Sequence, residues 1–173
     1  MNTDTNTIKK DDFLIEILFI LRETFEGSPE GQGSAYLDRG GGVFATLKTL
    51  SAEDVSTEIA GMTIAAHTEH AKFYLDRLCE FMKGGTEKVN WEDSWLIETV
   101  NETEWNYLRI AVRKSYENTL LTFAEIEDWN EETLGEAIGI VAHTAYHLGA
   151  IRQMMKLAKN DDTSTTAVSM VTT

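Results

Sequence analysis

All four histidines of this chain fall in two short stretches, Thr63-Ile-Ala-Ala-His67-Thr-Glu-His70 and Ile138-Gly-Ile-Val-Ala-His143-Thr-Ala-Tyr-His147-Leu-Gly-Ala-Ile151. His143 and His147 are four residues apart, so a helix sets both imidazoles on one face with about 5–6 Å between their Cβ atoms. That spacing suits two ligands to one metal ion. A histidine on an apolar helix face is more often a hydrogen-bonded core residue than a ligand. Two in consecutive core-facing positions are harder to satisfy, because a buried imidazole without a partner is costly. A shared metal ion removes that cost by giving each ring a partner for one nitrogen. Ile140, His143, His147, Ala150, Met154 and Leu157 follow the alternating three-and-four spacing of a helical seam, and His67, His70, Tyr74, Leu78 and Phe81 form a comparable seam earlier in the chain.

The pair at 143 and 147, joined by His67 or His70, would make a three-imidazole site. Three neutral imidazoles around Zn²⁺ leave a fourth position for water, the arrangement of a catalytic rather than a structural zinc. Such a metal lowers the pKa of a bound water or thiol and polarises a carbonyl. Other metal chemistries fail on spacing. A di-iron bundle needs Glu-x-x-His, but Ile64, His67, Ile140 and Thr144 stand three residues before the histidines, and His-Glu-x-x-His is absent. Gly40-Gly41-Gly42 lacks the spacing and the Lys-Ser/Thr of a phosphate loop. The single cysteine, Cys79 in Leu75-Asp-Arg-Leu-Cys-Glu-Phe, has no neighbouring histidine and reads as a helix residue rather than a nucleophile.

The elements that must position these residues are helical. Residues 10–25 form a helix apolar around most of its circumference, which is either buried on several sides or shared with a partner subunit, so a homodimer is an expectation. Gly27 to Gly33 is a loop by its Gly/Pro content. Residues 35–50 read as a short helix interrupted at Gly40-Gly41-Gly42. Ser51 starts another with Asp54 in the acidic position of a capping box, and Gly61-Met62 is a break before an N-cap at Thr63. Long helices follow over 63–82, 102–126 and 131–159, with Trp91 to Trp95 in a connection of mixed character. The architecture expected is an all-α four-helix bundle with short accessory helices. Residues 1–9 are expected to be a flexible N-terminus, 10–159 the bundle, and 160–173 a flexible polar tail.

With 173 residues, one proline and 42% hydrophobic content, one helical globular domain is the natural reading. Twenty-nine acidic against 15 basic residues give a formal charge of −14, which repels phosphate backbones and anionic headgroups and disfavours nucleic-acid and membrane partners. One cysteine cannot form an internal disulfide, so a reducing cytoplasm is the expected compartment. Phe13 to Leu21 is too short to span a bilayer, and Asp11, Asp12 and Glu16 do not suit a signal peptide.

His143-Thr-Ala-Tyr-His147-Leu-Gly-Ala-Ile resembles the His-x3-His-x-Gly-Gln-Ile signature of the DinB-like (YfiT-like) superfamily. Thr63-Ile-Ala-Ala-His67-Thr-Glu-His70 is similar to the Ser/Thr-Ile-x-x-Leu-x-x-His start of that family's second helix. The resemblance covers roughly residues 11–159. It implies a four-helix bundle with a divalent metal, zinc or nickel, held by three histidines and open to solvent. The family's spacing places the third ligand seven residues after the Ser/Thr, which selects His70. His67 stays the alternative ligand, or a pocket or ligand-supporting residue. Ala150 stands where the family often has Gln. The activities implied are thiol S-transfer, with a low-molecular-weight thiol as substrate, or metal-dependent hydrolysis. Tyr74, Trp95, Tyr146 and Arg152 join His67 as pocket candidates. The alternatives are a metal-binding or stress-response protein without turnover and a metal-free helical interaction module.

Overall fold

The computed structural model describes residues 9–31, 33–37 and 41–169, the last ten as backbone. The chain is all-α. Among the described residues six α-helices run in the order α1 (Lys10–Glu26), α2 (Val43–Lys48), α3 (Ala52–Ser56), α4 (Ile64–Met82), α5 (Glu102–Glu125) and α6 (Glu131–Ser169), with a 3-10 helix over Trp91–Trp95. α4 packs against both α5 and α6, and α6 also meets α1.

Local chemistry sets the helix starts. The Thr63 side chain accepts the Ala66 N–H at 3.1 Å, and Asn130 Oδ1 takes the N–H groups of Glu132 and Thr133 at the head of α6. At α3 the Ser51 hydroxyl accepts from Asp54 N while the Asp54 carboxylate accepts from Ser51 N, so the shorter acid still completes the capping box. Before α4, Ile59 and Met62 exchange backbone hydrogen bonds across Ala60 and Gly61, both at positive φ. Such a turn favours Gly, and it fixes the direction from which the chain enters α4.

The helix expected over 35–50 is reduced to α2. Its N-cap, Gly42, lies so close to the end of α1 that an added Cβ would stand 2.5 Å from the Thr24 carbonyl oxygen. Gly42 therefore serves close approach between α1 and α2. Residues 33–37 instead wrap a buried carboxylate. Glu23 of α1 is fully buried and accepts from the Ser28 and Ser34 hydroxyls and the Ala35 and Leu37 N–H groups. Burial works to raise its pKa, but the bonds from Ser34, Leu37, Ala35 and Ser28 outweigh it and hold the carboxyl down at about 2.

One apolar core links the helices. Ile17, Leu21 and Phe25 of α1, Leu75 and Leu78 of α4, Trp105, Val112 and Phe123 of α5, and Ile140, Leu148 and Ile151 of α6 are all buried in it. Trp105 is fully covered, and its indole N–H reaches the Leu50 carbonyl at 2.9 Å, tying α5 to the segment after α2. Cys79 is buried in this interior with Sγ 3.3 Å from Thr119 Oγ1. Much of the apolar circumference of α1 packs within the chain; Ile15, 63% exposed, is the clear exception.

α6 extends beyond Lys159, where the sequence expectation ended it, to Ser169. No glycine or proline lies between Gly149 and Thr173 to stop it. The expected tail over 160–173 thus begins as helix, and 170–173 lie outside the described residues, as does the expected N-terminal segment apart from Lys9. Leu157, assigned to the seam, is 50% exposed. No described helix is long and apolar enough to cross a membrane.

Candidate metal centre

The packing of α4 on α6 brings three histidines together. Nε2 of His70 lies 3.0 Å from Nε2 of His143, and Nε2 of His147 lies 3.2 Å from the same atom. The three ligand atoms all lie within 4.8 Å of one another, and among the described residues no other His, Cys, Asp or Glu joins the group. Donors held at 2.0–2.1 Å on one tetrahedral zinc stand about 3.3 Å apart, so the spacing fits a shared ion.

The other ring nitrogens decide which atoms carry protons. His70 Nδ1 is 2.6 Å from the Ser94 hydroxyl, and that hydroxyl donates to the Trp91 carbonyl at 2.5 Å. Ser94 has one proton and it goes to the carbonyl, so the hydroxyl accepts from His70 Nδ1–H and leaves the His70 Nε2 lone pair facing the cluster. His147 Nδ1 lies 2.9 Å from His67 Nδ1. When His147 Nδ1 is the donor and His67 the acceptor, the His147 Nε2 lone pair also faces inward. His143 Nδ1 is buried without a partner among the described residues.

Without a metal, the centre would hold one proton, on His143 Nε2, shared between two lone pairs. With one, all three inward nitrogens have a strong partner. The donor set fits a divalent cation because the rings are neutral. Burial, followed by the fields of His143, His70 and His67, pushes His147 down to about 3. Burial and then His70 push His143 down to about 4. Burial lowers His67, and burial with His67 lowers His70. Metal ligation needs neutral imidazole.

Aromatic rings clamp two of the histidines. Trp95 stacks on His70 at 3.8 Å between centroids and 16° between planes, and Tyr74 stacks on His143 at 3.6 Å and 14°. The sequence candidates thus separate. His70, His143 and His147 converge. His67 is off the cluster, on the far nitrogen of His147. Tyr74 and Trp95 brace two of these rings, His143 and His70, and Tyr146, 68% exposed, lines a cavity beside His67. Arg152 is elsewhere, lining a groove with Thr46 of α2 and Lys156 of α6. It lies five residues past His147, roughly 140° around the helix. Ala150, half-buried, carries no donor that could support a ligand.

Ser94 was not among the sequence candidates. The signal was faint: Asn90, whose side chain accepts the Glu92 N–H, starts the 3-10 turn that buries the serine hydroxyl.

Comparison of the chain with family models, curated proteins and solved structures gives no match.

Proposed function

We propose that this chain is a divalent-metal protein of DinB-like type, in which the four long helices α1, α4, α5 and α6 form the bundle and His70, His143 and His147 hold zinc or nickel. The observation that carries this reading is the convergence of three Nε2 atoms while Ser94 orients the His70 ring. The proposed activity is metal-dependent, thiol S-transfer or hydrolysis on a small molecule. A bound divalent ion would supply Lewis acidity and a lowered pKa for a thiol or water at its open position. The protein's own part is to keep three rings neutral, orient them through Ser94 and His67, and shield them with Trp95 and Tyr74.

Elemental analysis of the purified protein tests the binding. About one equivalent of zinc or nickel is expected, and His143→Ala should carry little. A thiol-conjugation and ester-hydrolysis panel on the loaded protein tests the activity; a loaded protein inert across the panel is a binder without turnover. A second reading, a metal-free helical interaction module, is favoured by the fact that 3.0 and 3.2 Å are also N–H···N lengths. Absence of metal in both proteins selects it. A homodimer across α1 is proposed on the exposure of Ile15, and sedimentation measures it.

A further inference from the structure

Beside the histidines, where α4 begins, lies a cavity of about 650 Å³, within the range of small-molecule sites. His67 lines it, and the same ring meets His147 through Nδ1, so one side chain connects the cavity wall to the candidate ligand set. Trp95, Tyr146 and Met62 give it an aromatic and apolar wall. Two carboxylates, Glu58 and Glu98, line it as well, and among the described residues no lysine or arginine does. Neither glutamate belongs to an ion pair among the described residues, whereas Glu69, Asp76, Glu80 and Glu125 each face a lysine or arginine.

We propose that this cavity binds a cationic, amine-bearing small molecule, which on the metal reading above is the substrate. An ammonium group in the cavity gains from the field of the two carboxylates, and the aromatic rings of Trp95 and Tyr146 in the wall suit a cation through their quadrupole. The net charge of −14 adds a weaker field of the same sign. An anion of the same shape meets two like charges instead. A divalent ion at the histidines would oppose an ammonium, but Glu58 and Glu98 are on the cavity wall and the three ligand histidines are not. Two exposed carboxylates and an aromatic wall are together expected to favour the cation about tenfold.

The test is calorimetric titration of the full chain, zinc-free and zinc-loaded, with phenethylamine and with 3-phenylpropionate, two molecules of like size and opposite charge. The zinc-free protein should bind phenethylamine at least about tenfold more tightly. Glu58→Gln/Glu98→Gln should bring the two within about twofold, while Glu30→Gln/Glu127→Gln, equal in net charge and away from the cavity lining, should keep the preference. Saturable binding of neither probe, an anion bound as tightly, a preference surviving in the first variant, or one lost in the second would each overturn the proposal. Failure of zinc uptake overturns the metal reading and leaves the amine preference standing, because that preference is read in the zinc-free protein.

Discussion

Replacing Ser94 by alanine removes one oxygen from the candidate metal centre without touching a proposed ligand. The Ser94 side chain is fully buried, and its hydroxyl joins His70 Nδ1 at 2.6 Å to the Trp91 carbonyl at 2.5 Å. In Ser94→Ala the His70 Nδ1–H loses its acceptor and the other tautomer, with its proton toward the cluster, is no longer penalised. The stacked Trp95 ring still holds the plane of His70, so the loss is one of tautomer and basicity rather than position. A buried donor left unsatisfied costs about 1–3 kcal/mol, and outer-shell partners of metal-bound histidines are worth about 10–100-fold in affinity. Zinc affinity, measured by competition with a chromophoric chelator at constant pH, should fall about tenfold or more. Ser94→Thr, which keeps the hydroxyl, should recover most of that. Zinc bound by the folded alanine variant within about twofold of the unaltered protein would refute the tautomer argument.

His143→Ala should abolish zinc binding yet leave the helical content intact by circular dichroism, since among the described residues its Nδ1 has no partner and its Nε2 meets only the two other histidines of the cluster, not the helix backbone. Glu23→Gln should cost about 2–4 kcal/mol in urea unfolding at neutral pH, because several donors lose a charged acceptor. The carboxyl is held below its ordinary value, so its stabilisation is present above about 4.5 and lost as pH falls toward about 2. The stability gap between variant and parent should therefore narrow over that window; a gap independent of pH would contradict it. Cys79, buried and with its thiol pushed up by burial, should resist iodoacetamide in the native protein and react once urea unfolds it.

Much of this site was legible in one dimension. His143 and His147 share a face because the helical period is a property of the backbone, and any helix over 138–151 puts them there. Thr63 and Ser51 act as caps because their side chains reach N–H groups three residues on, an interaction whose partners are all local. The same holds for the buried Cys79, set in an apolar stripe with no activating neighbour. The all-α class followed from periodicity sustained over long stretches, whereas the lengths of α2 and α6 did not. A short segment such as 35–50 is decided by what it packs against, here Glu23 and the end of α1.

The choice between His67 and His70 shows where sequence stops. Both lie on the inner side of α4, three residues apart, and a period of 3.6 cannot rank them. The residues implied by the motif gave an address, but the distances come from how α4 crosses α6. That crossing sets His70 Nε2 against His143 Nε2 and His67 Nδ1 against His147 Nδ1. Ser94, 24 residues from His70 in the chain, reaches it only because the 3-10 turn folds back on α4. The helices and their polar faces are set by hydrogen bonds to near neighbours, and these the sequence determines by itself. Which nitrogen meets which is set by side chains packing between helices far apart in the chain, and only the tertiary structure decides that.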